Sequence, residues 1–210
     1  MIGLRTTVGR VHSRAIMQRR VRVLAECIAR LLPGDLDVLD VGCGDGQIGR
    51  AVMDMRPDVR VRGIDVMLRP RTAIPVERFD GEFIDLPDRG VGAVMMVDVV
   101  HHARSPAALV REAARVSARA LVIKDHLREG FLAGTTLRAM DWVGNAPHGV
   151  VLPYNYLTRR EWDEAFKSAE VTIDVWEGSL SLYPVPASYV FDRRLHFAAR
   201  LTHPDHWPCR

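Results

Sequence analysis

Residues Val38 to Gly49 read VLDVGCGDGQIG. The apolar run Val38-Leu39-Asp40-Val41 has the character of a parallel strand buried on both faces. Gly42, Gly44 and Gly46 follow at alternate positions, and Gln47 to Arg56 carries a helical pattern. A strand, a glycine turn and a helix let the backbone approach a nucleotide-like ligand, because glycine takes left-handed dihedrals and has no Cβ to collide with it. Counted from Gly42 and Gly44, the dinucleotide fingerprint GxGxxG would need its third glycine at position 47, which holds Gln47. What remains is an acid, Asp40, leading three alternating glycines.

The chain of 210 residues is long enough for one α/β domain, and 48% hydrophobic residues argue for a packed core. No apolar run is long enough to span a bilayer, and no apolar secretory core opens the chain. The net charge of +3 is small and offers no clustered basic face for nucleic acid. Cys27, Cys43 and Cys209 are odd in number, far apart and without zinc spacing, which fits a reducing, cytoplasmic setting. The first 25 residues hold six arginines and no acid, a composition shared with transit peptides. Val21, Leu24, Ile28, Leu31 and Leu32 nevertheless form a helical stripe running into the first strand, so residues 1–33 read as a helical cap of the domain.

Further along, Arg60 to Asp65 predicts a second strand, with Asp65 19 residues after Gly46. An acid at that distance accepts from ribose hydroxyls in doubly wound sheets. Pro75 to Phe79 reads as a third strand ending in Asp80-Gly81, Gly92 to Val100 as a central strand, and Ala120 to Lys124 as a fifth. Ser105-Pro106 opens a helix expected to reach Arg119. Residues 127–157 are too long for a simple connection and read as a lid, with helix over 132–143. Thr158-Arg159-Arg160-Glu161 has the form of a capping box for a helix to about Ala169. Val171 to Trp176 and Ala187 to Leu195 read as the last two strands, and the tail from Thr202 as irregular.

The order VLDVGCGDG, Asp65, Asp80-Gly81, VDVVHH, LVIKDH resembles the class I S-adenosylmethionine (SAM) dependent methyltransferases of the small-molecule type, most closely from Val38 to Asp125. That resemblance implies a Rossmann-like, doubly wound, mostly parallel seven-stranded α/β sheet over residues 1–210, with the lid inserted after strand five. It implies SAM as methyl donor and S-adenosylhomocysteine (SAH) as product. It carries the cofactor contacts onto Asp40, Gly42, Gly44, Gly46, Asp65, Asp80 and Asp98, with Asp85 a competing candidate for the adenine. A Phe-Asp pair common before the fourth strand is replaced by Val91-Gly92.

Methyl transfer is an in-line displacement, so the protein's task is to position a nucleophile and, for oxygen or nitrogen, to take its proton. Ligands of open α/β sheets sit at the carboxyl ends of the strands, which selects His101, His102, Asp125 and His126. Asp125-His126 offers a base beside an orienting acid. In the lid, Trp142 and Tyr154 are expected to touch substrate, with His148 a second-choice base. No metal is expected, because the acid pattern of metal-dependent catechol-type relatives is not reproduced. The Asn/Asp-Pro-Pro-Tyr motif of nucleic-acid enzymes is replaced by Asp98-Val99-Val100-His101, which favours a small acceptor. Two other readings stand beside it: a non-catalytic SAM-binding partner subunit, and an RNA methyltransferase using the Arg-rich N-terminal helix.

Overall fold

The computed structural model describes residues 2–145, 154–183, 185, 188–191 and 194–204, with side chains at 17–140, 154–183, 185, 188, 191 and 194–204. The elements in chain order are α1 (Ile2–Leu31), β1 (Leu36–Val41), α2 (Gln47–Met55), β2 (Val59–Asp65), β3 (Val76–Arg78), β4 (Val91–Val97), a 3-10 turn (Val100–His102), α3 (Pro106–Val116), β5 (Ser117–His126), α4 (Ala133–Asn145), α5 (Arg159–Ser168), β6 (Thr172–Glu177), α6 (Ser188–Phe191) and β7 (His196–Thr202). They build one seven-stranded sheet of order β3-β2-β1-β4-β5-β7-β6. β7 runs antiparallel to both its neighbours, and the other pairs are parallel. Among the described residues no helix is long and apolar enough to cross a membrane.

The central strands are apolar because both faces are covered. On one face Val38, Met95 and Val122 pack with Leu24, Ile28 and Leu31 of α1 and Val52 of α2. On the other, Leu39, Met96 and Ile123 pack with Val110 of α3 and Trp162 and Phe166 of α5. The stripe on α1 is therefore part of the core, with Leu24, Ile28, Leu31 and Leu32 all buried. The β2–β3 and β3–β4 connections form no helix, which leaves the β3 end of the sheet the least covered.

Three boundaries differ from those expected. The central strand stops at Val97, because Asp98 takes a left-handed φ of 57° and turns the chain into the 3-10 segment. α3 ends at Val116, and β5 begins at once at Ser117 and continues to His126. The last strand is not Ala187 to Leu195. Short helix α6 lies within that stretch, and β7 follows it, paired with β5 from Leu121↔Leu201 to His126↔His196. The tail is regular up to Thr202.

The capping box at α5 is present in full. Thr158 Oγ1 accepts from the Glu161 backbone N–H, and Glu161 accepts from the Thr158 N–H at 2.7 Å. Thr158→Ala should therefore lower stability by about 1 kcal/mol, read as a lower urea midpoint at unchanged slope.

Candidate functional site

The glycine turn lies at the carboxyl end of β1. Gly42 and Gly46 have φ of 71° and 75°, and a Cβ on either would meet Val99 or Ile74 at 2.6 or 2.5 Å. Gly44 is different. At φ 61° its missing Cβ would meet nothing within 4 Å, so its backbone opens onto a cavity of about 710 Å³. That cavity is lined by Arg20, Leu24, Asp40, Gly44, Arg69 and Asp98 among others. An open glycine edge in a lining that carries three acids and three arginines fits a polar, charged, nucleoside-bearing ligand of the kind SAM is.

Asp65 joins the end of β2 to this turn. Its Oδ2 accepts from the Gly44 N–H at 2.7 Å and its Oδ1 from the Met67 N–H at 2.8 Å. Each oxygen keeps a further lone pair for a ribose hydroxyl. Asp40 is buried beneath the turn, and burial, then the Asp65 charge, push its carboxyl well above the usual range. Asp65→Ala is expected to weaken SAM binding by about a hundredfold, the worth of one or two hydrogen bonds to a carboxylate. Calorimetry giving an unchanged affinity would remove Asp65 from the cofactor site.

A buried ionic cluster sits at the ends of β4 and β5, reaching the cavity through Asp98. Asp98 accepts from Lys124 Nζ and from Arg20 Nη2, the latter at 2.5 Å. Burial alone would push the Asp98 carboxyl up, but the charges of Lys124, Arg20 and His126 outweigh it and hold it well below the carboxylate range. The Lys124 side chain is fully buried, and desolvation lowers its pKa against the pull of Asp98. His126 Nε2 stands 3.5 Å from Asp98 Oδ1. Burial, then the Lys124 charge, drive the His126 pKa well below its ordinary value, with Asp98 opposing. His196, brought alongside from β7, is pushed down to about 3, by burial first and Lys124 second.

Asp125 serves His101, not His126 as expected of adjacent residues. His101 Nδ1 lies 2.6 Å from Asp125 Oδ1, and Asp125 also accepts from the Val100 and His126 backbone N–H groups. The His102 ring packs 4.0 Å from that of His101. Tyr156, just ahead of α5, closes the cluster, its ring centroid 5.2 Å from His101 and 5.7 Å from His126. Asn155 pins the stretch ahead of α5 to the 3-10 turn through bonds to the His101 and Ala103 carbonyls.

Other expected residues fall elsewhere. Asp80 is exposed, accepts from the Glu82 and Phe83 N–H groups, and lines a separate cavity of about 530 Å³ that holds Asp85 too. Tyr154 lies on the outer side of Tyr156, under the Arg138 guanidinium, in a third cavity of about 490 Å³. The Trp142 side chain and His148 lie outside the described residues. Arg20, Lys124 and His196 are not among the residues that the sequence singles out for the site. Lys124 carries a signal, a charge at the end of an apolar run; His196 carries none. His101, Asp125 and His126 place ligand-type atoms within 4.8 Å of one another. The Lys124 ammonium, 3.5 Å from His196 Nδ1, is a competing charge at the edge of that group.

The methyltransferase domain family matches residues 14–174. Among curated proteins no match is found. Among solved structures, the protein crystallised with the Trm112 methyltransferase activator of Haloferax volcanii aligns at TM-score 0.69 and 15% identity, over 92% of this chain and 94% of that one. A SAM-dependent methyltransferase from Mesorhizobium loti aligns at 0.62 and 18%, over 85% and 96%. Geranyl diphosphate C-methyltransferase from Streptomyces coelicolor A3(2), solved with SAH, aligns at 0.64 and 14%, over 85% and 79%. At these identities the structural likeness speaks for the fold, and the sequence match for the family. The chain belongs to the methyltransferase domain family, within the class I SAM-dependent methyltransferases, and SAM is its cofactor.

Proposed function

We propose that the protein transfers a methyl group from SAM to oxygen or nitrogen of a small organic molecule, with His126 taking the acceptor's proton. The observation that carries this reading is the 3.5 Å approach of His126 Nε2 to Asp98, which lines the same cavity as Gly44. Bound there, SAM supplies a methyl carbon already activated by its sulfonium. Asp65 is assigned to the ribose and Asp40 to the methionine ammonium, whose arrival favours the ionised form of that carboxyl. An acceptor that has gained a methyl group loses its proton readily, so a weak base suffices, provided it stays unprotonated at working pH. The low pKa of His126 meets that condition. His101, oriented by Asp125, is a second imidazole able to hold the acceptor, and residues 127–157 form the lid of this single domain.

The test is SAH release from the isolated chain with a panel of phenols, alcohols, amines and imidazoles. Turnover with one of them, lost in His126→Ala, supports the reading. SAM binding without SAH release from any of them favours a partner-dependent or non-catalytic role. One feature favours partner dependence as the second reading: Val66, Met67, Leu68 and Phe83 are exposed near edge strand β3, Phe83 at 59%. The Haloferax volcanii relative was itself solved with an activator.

A further inference from the structure

We propose that His196 is a positioning residue that holds His126 as its Nδ1–H tautomer, so that a bare Nε2 lone pair faces Asp98, which lines the cavity. The inference rests on the reading of His126 as proton acceptor for its consequence, but not for its geometry. His196 Nε2 lies 3.0 Å from the Phe191 carbonyl oxygen. A carbonyl only accepts, so that nitrogen carries a hydrogen. His196 Nδ1 faces two neighbours, His126 Nδ1 at 3.0 Å and the Lys124 ammonium at 3.5 Å. A second hydrogen on His196 would make it a cation beside buried Lys124, and burial with Lys124 favours the neutral ring. His196 Nδ1 is then an acceptor, and the hydrogen between the two rings belongs to His126 Nδ1.

A neutral imidazole has one hydrogen, so His126 Nε2 has none. This is the nitrogen that points at Asp98. Of the groups around His126, Lys124 from its own strand and His101 from the 3-10 turn keep the ring neutral, the Tyr156 ring stands edge-on, and the Asp98 carboxylate opposes by favouring a hydrogen on the nitrogen that faces it; the bond to His196 is what decides the tautomer. Two acceptors, the imidazole and the carboxylate, thus face one another across 3.5 Å. A hydroxyl or amine hydrogen entering beside them finds a lone pair ready. The chain Phe191 carbonyl, His196, His126 sets which nitrogen offers it, as a carboxylate does elsewhere. The β5–β7 register, with His126 opposite His196, is what builds the chain.

The test reads the tautomer directly and needs no acceptor. In SAH-bound protein with 15N-labelled histidine, two-bond 1H–15N spectra should show His126 protonated at Nδ1. In His196→Phe the ratio should shift by about tenfold or more towards Nε2–H, the worth of one lost hydrogen bond. His196→Asn, whose carboxamide oxygen can accept where Nδ1 did, should restore the Nδ1–H form. A wild-type Nε2–H tautomer, or a tautomer unmoved in His196→Phe with dispersed spectra, would overturn the proposal. A tautomer that flips in His196→Phe while SAH release with a panel acceptor is unchanged supports the lock and instead removes His126 from the chemistry.

Discussion

Asp98→Ala is expected to lower the stability of the fold by about 3–5 kcal/mol, the usual cost of stranding one member of a buried ion pair. The Lys124 side chain has no exposure and is bonded to Asp98. Removing the carboxylate leaves an ammonium in the core with a histidine nitrogen as its neighbour. Arg20 is about one-third exposed and can turn to water, so the penalty falls on Lys124. The ammonium can escape by giving up its proton. Its folded pKa already lies below 10.5, through burial, and falls further without Asp98. Between that depressed value and 10.5 the unfolded chain binds the proton more strongly, so the stability of the variant should rise with pH across that window. The double variant Asp98→Ala with Lys124→Met should recover most of the loss, because a similar apolar chain needs no counter-charge. Chemical denaturation at two pH values checks each step. A single variant within about 1 kcal/mol of wild type would show that Lys124 is not held charged by Asp98.

Why a buried ion pair should sit here at all follows from the topology. β4 and β5 are central and parallel, with Val97 opposite Lys124, so their carboxyl ends deliver Asp98 and Lys124 to the same place. The rule that ligands bind at this edge of an open sheet made these strand ends candidates before any contact was known. The sheet was legible from Val38 to Asp125 for a physical reason: double burial leaves continuous apolar runs, and left-handed turns demand glycine. β7 was hidden because Phe197-Ala198-Ala199 is short and rich in alanine, which does not favour strands. Its burial comes from packing between β5 and β6, a long-range fact. His196 was hidden with it, being joined to His126 across 70 residues. The pairing of Asp125 with His101 is not legible in the sequence, because it joins different elements across 24 residues.

His126→Ala should lower turnover by about 10²–10⁴-fold, the range for loss of a positioned general base, and leave SAM affinity unchanged. The separation follows from position: His126 touches Asp98 and His196, whereas the turn proposed to meet the cofactor is held by Asp65 and the glycines. The pH dependence carries the stronger discrimination. An ordinary histidine base loses activity as pH falls through about 6.5. Here burial and the Lys124 charge lower the His126 pKa well below that value, so the lone pair survives further acidification. The acid limb of the rate profile should accordingly lie well below pH 6.5 and vanish in His126→Ala. Stability runs the same way in sign: both His126 and His196 are depressed, so the unfolded chain gains protons first, and stability falls as pH drops below about 6.5. Rates must therefore be read on protein shown to be folded at each pH. If His126→Ala turns over normally while His101→Ala does not, proton acceptance belongs to the Asp125–His101 pair, whose 2.6 Å contact is the other arrangement at this edge able to receive it.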